Sequence, residues 1–262
     1  MGSLAKDIAE QLARELGIGT LQHEVADQVA EKMHVSKSLI NRLRSGKAGP
    51  FERLRADRKA IAVYTAREVL DAASKGNVVI RGWGATLLLH PVPHVPCVRI
   101  LRPFEKRVQW LMQQLDTDDA DAAAKEIERS DQANATRMHE QFGVTWNEPV
   151  LFDMVLNTDR LTVDTCVQQI RGLLARPEFA ETEASRTALL GMALSAHVRA
   201  ALRDDAQTAG VNVTIEAARG LVRLSGIVLD ANERDQTERV AASVPGVSGV
   251  ENRLRVMSPR GG

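Results

Sequence analysis

Three short apolar runs, each cut off by a polar or glycine turn and followed by a helical pattern, constrain this chain most. They are NVVIRGWGA at 77–85, CVRILRP at 97–103 and FDMVLNT at 152–158. A strand with one wet face alternates apolar and polar residues. An unbroken run such as Val78-Val79-Ile80 instead fits a strand covered on both faces. Strands of that kind alternating with helices predict an α/β fold with a parallel sheet.

The helices are legible from their spacing. Ile8, Leu12 and Leu16 form one stripe that stops at Gly17. A second helix is expected from about His23 to Met33. The basic, Gly/Pro-interrupted stretch SKSLINRLRSGKAGPFERLRADR reads as a helix fragment and a loop, and helix returns from Arg58 to Ser74. Residues 116–140 are polar and helical, and Val163, Val167, Ile170 and Leu174 mark a further helix.

Periodicity fades over residues 177–189, which read as a linker. A separate small α+β unit is expected at 190–258. Its parts are a helix from Leu190 to Ala206, VNVTI at 211–215, GLVRLSGIV at 220–228, a helix from Asp230 to Ser243, and GVENRLRV at 249–256. The order αββαβ completes a sheet with helices on one face. Gly220 serves the turn, and Gly226, in mid-strand, marks a bulge or a close backbone approach.

Charge and composition exclude several functions. Lys plus Arg and Asp plus Glu both number 34, so no net field attracts nucleic acid, and 3% aromatics offers no stacking platform. Cys97 and Cys166 are isolated and read as buried thiols. His90 and His94 flank prolines in a loop, and no metal site is expected. No apolar run reaches the ~20 residues of a membrane span, and the N-terminus has no signal-peptide pattern, so a cytoplasmic location is expected.

The C-terminal residues VNVTIEAARGLVRLSGIV and VPGVSGVENRLRV resemble the BON domain, with Gly220, Gly226, Gly246, Val247, Val250 and Asn252 at its signature positions. That resemblance implies binding of a protein partner or phospholipid. Residues 1–176 resemble the cytidylate-kinase-like nucleoside monophosphate kinases, whose fold is a P-loop parallel sheet with flanking helices. The matching blocks are GSLAKDIAEQLARELGI, NVVIRGWGA, CVRILRPFEKRV, EIERSDQANATRMHEQFGVTW and FDMVLNTDRLTVD.

The kinase resemblance implies phosphoryl transfer from ATP, with Mg²⁺, to a nucleoside monophosphate. It implies catalytic roles for Lys6, Arg107 and Arg129, and phosphate or nucleotide contacts from Gly2, Ser3, Lys6, Gly82, Gly84 and Arg137. Leu4 and Ala5 stand where the family has paired glycines, Trp83 where it has an arginine, and Asn134 where it has a lid arginine. Gln22-His23 replaces an expected acid. These losses of charge imply the alternative, a non-catalytic regulator or scaffold. Met1 falls inside the family's phosphate loop, so the first strand is missing from the sheet. Either the true start lies upstream or the sheet has a hole at its centre.

Overall fold

A computed structural model describes residues 1–21, 24–82 and 84–257. The elements are α1 (Ala5–Leu16), β1 (Gly19–Leu21), α2 (Glu24–Lys32), α3 (Lys37–Ser45), α4 (Pro50–Arg55), α5 (Arg58–Lys75), β2 (Val78–Ile80), α6 (Ala85–Leu89), β3 (Val98–Leu101), α7 (Phe104–Leu115), α8 (Ala120–Phe142), β4 (Met154–Asn157), α9 (Val163–Leu174), α10 (Glu183–Asp204), β5 (Thr214–Ala218), β6 (Leu221–Val228), α11 (Ala231–Ser243) and β7 (Gly249–Val256). They form two compact units. One comprises residues 1–58 and 76–181; the other comprises 59–75 and the residues from Thr182 on. Helix α5 thus groups with the C-terminal unit, not with the chain segments on either side of it.

The N-terminal unit mixes helices with small parallel sheets. β1 pairs with β2 from Gly19↔Val78 to Leu21↔Ile80, and β3 with β4 from Val98↔Met154 to Leu101↔Asn157. The three runs read from sequence are all strands, but they belong to two separate two-stranded sheets and not to one continuous sheet. β1 has no counterpart in the sequence reading, which passed from Gly17 directly to the second helix. With three residues and one large apolar side chain it carries no period of its own. Pairing with β2 defines it.

One core serves both sheets. Ile8 and Leu12 of α1, Leu156 of β4, and Cys166, Val167 and Ile170 of α9 are buried together, with Val79, Val98 and Ile100 packed against them but only partly buried. Each fully buried Val or Ile side chain stabilises this unit by ~1.5–3 kcal/mol. Helix α1 ends where Gly17 turns left-handed (φ 66°) and its N–H reaches back to the carbonyls of Ala13 and Arg14. The basic stretch after α2 holds two short helices. Ser36 caps α3, while Glu52 of α4 binds both the Gly49 N–H and Arg42.

In the C-terminal unit the sheet order is β5-β6-β7, antiparallel then parallel. Its core joins Val198 and Leu202 of α10, Val222, Leu224 and Val228 of β6, Ala241 of α11 and Leu254 of β7. The region read as a linker contains a 3-10 turn at Pro177–Phe179, and α10 begins at Glu183. A reciprocal cap between Thr182 and Ser185 starts that helix. β5 lies three residues later than VNVTI, at Thr214–Ala218. Gly226 is a close-approach site: a Cβ there would stand 3.4 Å from Val213 Cα, and its φ is +139°. Within this unit the Tyr64 hydroxyl donates to Asp204 at 2.6 Å, and His197 lies 3.3 Å from Asp71.

Candidate functional site

The turn ahead of α1 is built by close packing and by side chains that grip its carbonyls. Gly2 is buried at φ +75°, and a Cβ on it would lie 3.1 Å from Arg107 Cβ and 3.2 Å from Arg107 main-chain atoms. Only glycine fits there. Leu4, the N-cap residue, is also left-handed (φ 61°) despite its Cβ. The Met1 carbonyl accepts from Arg107 Nε at 2.7 Å and the Gly2 carbonyl from Arg102 at 3.4 Å, while the Thr158 hydroxyl lies 3.2 Å from the Ser3 carbonyl. The grips occupy the carbonyls of three successive residues. A turn that visits the left-handed region ahead of a helix can present main-chain N–H groups to an anion.

Arg107, at 15% exposure, makes a bidentate pair with Asp131 at 2.8 and 2.7 Å. One guanidinium therefore ties α7 to α8 and to the turn. The Met1 amine is held below its usual pKa by burial and then by Arg107, with Arg81 adding to the effect. Arg102 Nε is buried without a hydrogen-bond partner among the described residues.

Beside this turn, Arg44, Arg81 and Arg137 converge. Burial lowers the Arg44 guanidinium to about 9, and the charges of Arg137 and Arg81 push in the same direction. Arg81 and Arg137 are also lowered, both chiefly by burial; Glu10 and Asp7 oppose the shift on Arg81. Arg137 donates to the Arg44 carbonyl at 3.3 Å and to the Asn134 side chain, yet its Nε is buried and has no partner among the described residues. Arg44 Nη2 stands 3.4 Å from the position of a Cβ on Gly82. Three half-desolvated like charges at one place raise the free energy of the empty site and favour a multivalent anion.

The other expected residues have the following contacts. Lys6 is exposed and forms an i,i+4 pair with Glu10 at 3.7 Å. Arg129 pairs with Glu126, which also binds Lys47 at 2.9 Å. Gly84 is left-handed at the start of α6, and a Cβ on it would stand 2.8 Å from the Phe142 ring. Ser3 belongs to the gripped turn. Trp83 and the Gln22-His23 pair lie outside the described residues. Sequence reasoning named Arg137 and read the basic stretch that contains Arg44 as able to touch a nucleotide phosphate, but singled out neither Arg44 nor Arg81; the signal for both was an arginine within two residues of a glycine, in RLRSG and in VVIRG.

Among the described residues no three His, Cys, Asp or Glu groups come together as ligands, and Asp131 is committed to Arg107. A Mg²⁺ arriving with a nucleotide would be held by phosphate oxygens and water. No helix among the described residues is long and apolar enough to cross a membrane.

Comparison with known proteins places both units. The cytidylate kinase-like family matches residues 1–160, and the BON domain matches residues 193–258. A uronate isomerase of Corynebacterium glutamicum is 28% identical over 116 residues, which span 44% of this chain and 22% of the isomerase. An uncharacterized protein from Eubacterium ventriosum superposes with a TM-score of 0.52 at 18% identity, over 66% of this chain and 92% of that one, and so shares the fold. The chain belongs to the cytidylate kinase-like family and carries a C-terminal BON domain.

Proposed function

We propose that the N-terminal unit binds nucleotide through its phosphates and transfers a phosphoryl group from ATP to a nucleoside monophosphate of the cytidylate type. The observation that carries this reading is the convergence of Arg44, Arg81 and Arg137 beside the gripped turn at Met1–Leu4. In this reading the main-chain amides at Gly2, Ser3 and the start of α1 hold the donor phosphates. Gly82 and Gly84 let the backbone approach the acceptor, and Arg137 with Arg44 and Arg81 neutralises its phosphate. Arg107 holds the turn in shape. Lys6 and Arg129 exchange Glu10 and Glu126 for the transferring group, where charge spreads over equatorial oxygens.

A second reading, binding without transfer, is favoured by a specific observation. Both cations nearest to catalytic roles are already paired, Lys6 with Glu10 and Arg129 with Glu126. The BON domain then supplies the interaction, with a protein partner or phospholipid. A cavity of about 480 Å³ in the C-terminal unit, lined by Leu70 of α5, Gly191 and Met192 ahead of the BON match, and Arg199, Ile215 and Glu216 within it, is the site we assign to that role.

A coupled kinase assay with ATP, Mg²⁺ and CMP, run beside thermal shift with each nucleotide, separates the two. Turnover that disappears in Lys6→Ala while CMP still raises Tm supports transfer. A Tm shift without turnover supports the second reading. No shift with any nucleotide overturns nucleotide binding and leaves only the interaction through the BON domain.

A further inference from the structure

The C-terminal sheet ends on an open edge. Among the described residues β7 pairs only with β6, along all eight of its residues. In a parallel pair, alternate residues of a strand turn their main-chain groups toward the neighbour. The Met257 N–H donates to the Val228 carbonyl, so the odd-numbered residues of β7 face β6. The main-chain groups of Val250, Asn252, Leu254 and Val256 face away from the sheet. The Leu254 N–H shows this parity: it donates to the Asn252 side chain at 3.0 Å and not to β6. An exposed edge of this length is a template for a further strand.

The side chains of β7 identify which strand fits. Leu254 is buried in the core with α10 and α11, and Asn252 donates to Glu238 of α11 at 2.7 Å. Even-numbered side chains therefore lie on the helical face. Glu251, Arg253 and Arg255 lie on the other face, where Glu251 accepts from Arg223 of β6 at 2.7 Å and from Arg253 at 2.6 Å. A second β7 laid antiparallel against the first meets a different charge in each register. Glu251 on the two-fold axis sets Glu251 against itself, and Arg253 on the axis sets Arg253 against itself. Leu254 on the axis sets Arg253 against Arg255. Asn252 on the axis brings each Glu251 to the other copy's Arg253 and each Val250 to the other copy's Leu254. That register has no like pair and keeps nearly the whole strand in overlap.

We propose that β7 is a dimer edge: two copies of the chain pair antiparallel about Asn252 and join two three-stranded sheets into one of six strands. The two Glu251–Arg253 pairs then occupy non-hydrogen-bonded positions, where facing side chains are closest. The contact is isologous and closes at two copies. Its occupant is a second copy because the edge is complementary to its own reverse. The association is weak. Each copy releases the Leu254 N–H from Asn252, and the two Glu238 carboxylates approach each other beside the axis. An edge of eight residues, ~27 Å long at ~3.4 Å per residue, lies at the small end of specific interfaces. The inference rests on the C-terminal sheet and is independent of the nucleotide reading.

Sedimentation equilibrium on the full chain tests it, over a concentration range of about 1–200 μM that brackets a weak interface. The parent should pass from monomer to dimer across that range. Glu251→Arg sets arginine against Arg253, and Arg253→Glu sets glutamate against Glu251; each variant alone should dimerise about tenfold or more weakly. Mixed in equal amounts, the two variants carry complementary edges, and a mixed dimer should form at least as tightly as that of the parent. Glu238→Gln removes the repulsion beside the axis and should tighten the dimer. Hydrogen exchange on the parent needs no variant: the amides of Val250, Asn252 and Val256 should slow in step with the dimer, while that of Arg253, paired with β6, is slow throughout. A parent that stays monomeric across the range overturns the proposal. So do single variants that dimerise as tightly as the parent, a folded mixture that forms no mixed dimer, or a dimer in which the outward amides are not slowed.

Discussion

Arg137 donates to the main-chain carbonyl of Arg44 across 3.3 Å, and that bond holds two guanidinium groups together that repel each other. Such an arrangement costs stability in the empty protein and gains it back when an anion arrives. Arg137→Met keeps most of the side-chain volume and removes one of the like charges. The expected result is an empty protein at least as stable as the parent in thermal melts. Its Tm gain from pyrophosphate falls to less than half. A variant that melts lower and still responds fully to pyrophosphate would remove Arg137 from the anion site.

Arg44 gives this site a pH signature. Burial and the nearby charges of Arg137 and Arg81 lower its pKa from the usual arginine range to about 9 in the folded protein. Below pH 9 the group is charged in both folded and unfolded chains, so its desolvation cost is fully present. Above pH 9, up to the ordinary arginine range, the unfolded chain holds the proton more tightly, and this group's contribution to native stability rises with pH. Anion binding needs the charged form and moves in the opposite direction. The Tm shift produced by pyrophosphate should be constant from pH 7 to 8 and decline above pH 9, while the melting point of the Arg44→Met protein should lose the upward pH trend.

The Arg107–Asp131 pair is bidentate and mostly buried, so breaking it leaves a desolvated guanidinium without its partner. Asp131→Asn should cost about 1–3 kcal/mol in urea unfolding. Arg107→Lys should not restore the parent value, because an ammonium cannot bind both carboxylate oxygens and the Met1 carbonyl in one plane. If the lysine variant matches the parent, the planar fork contributes nothing.

Much of this fold was legible because burial leaves a period in the sequence. Ile8 and Leu12, Val167 and Ile170, and the runs at Val78 and Val98 all announce themselves by apolar spacing. β1 did not, since three residues paired on one side need no pattern. The start of α10 was missed because its cap uses Ser185 where a Glu or Gln would be the usual signal. At the site, Gly2 could be read from its motif, whereas the meeting of Arg44, Arg81 and Arg137 brings together residues from three distant segments. Spacing within one segment carries no trace of that convergence.

Two glycines in helices test the packing in opposite directions. A Cβ on Gly191 of α10 would stand 2.1 Å from the Ala217 carbonyl oxygen, so the helix lies directly on the main chain of β5. Main chain in a paired strand cannot give way cheaply. Gly191→Ala should therefore destabilise the C-terminal unit by more than the ~1–3 kcal/mol typical of overpacking, and shift or abolish its unfolding transition. Gly172 of α9 has nothing within 4 Å of the same position. There Gly172→Ala adds helix propensity and restricts the unfolded chain, which should stabilise the N-terminal unit by about 0.5–1 kcal/mol. Urea unfolding followed by hydrogen exchange assigns each change to its unit. A tolerated Gly191→Ala would mean that α10 and β5 do not approach this closely in solution.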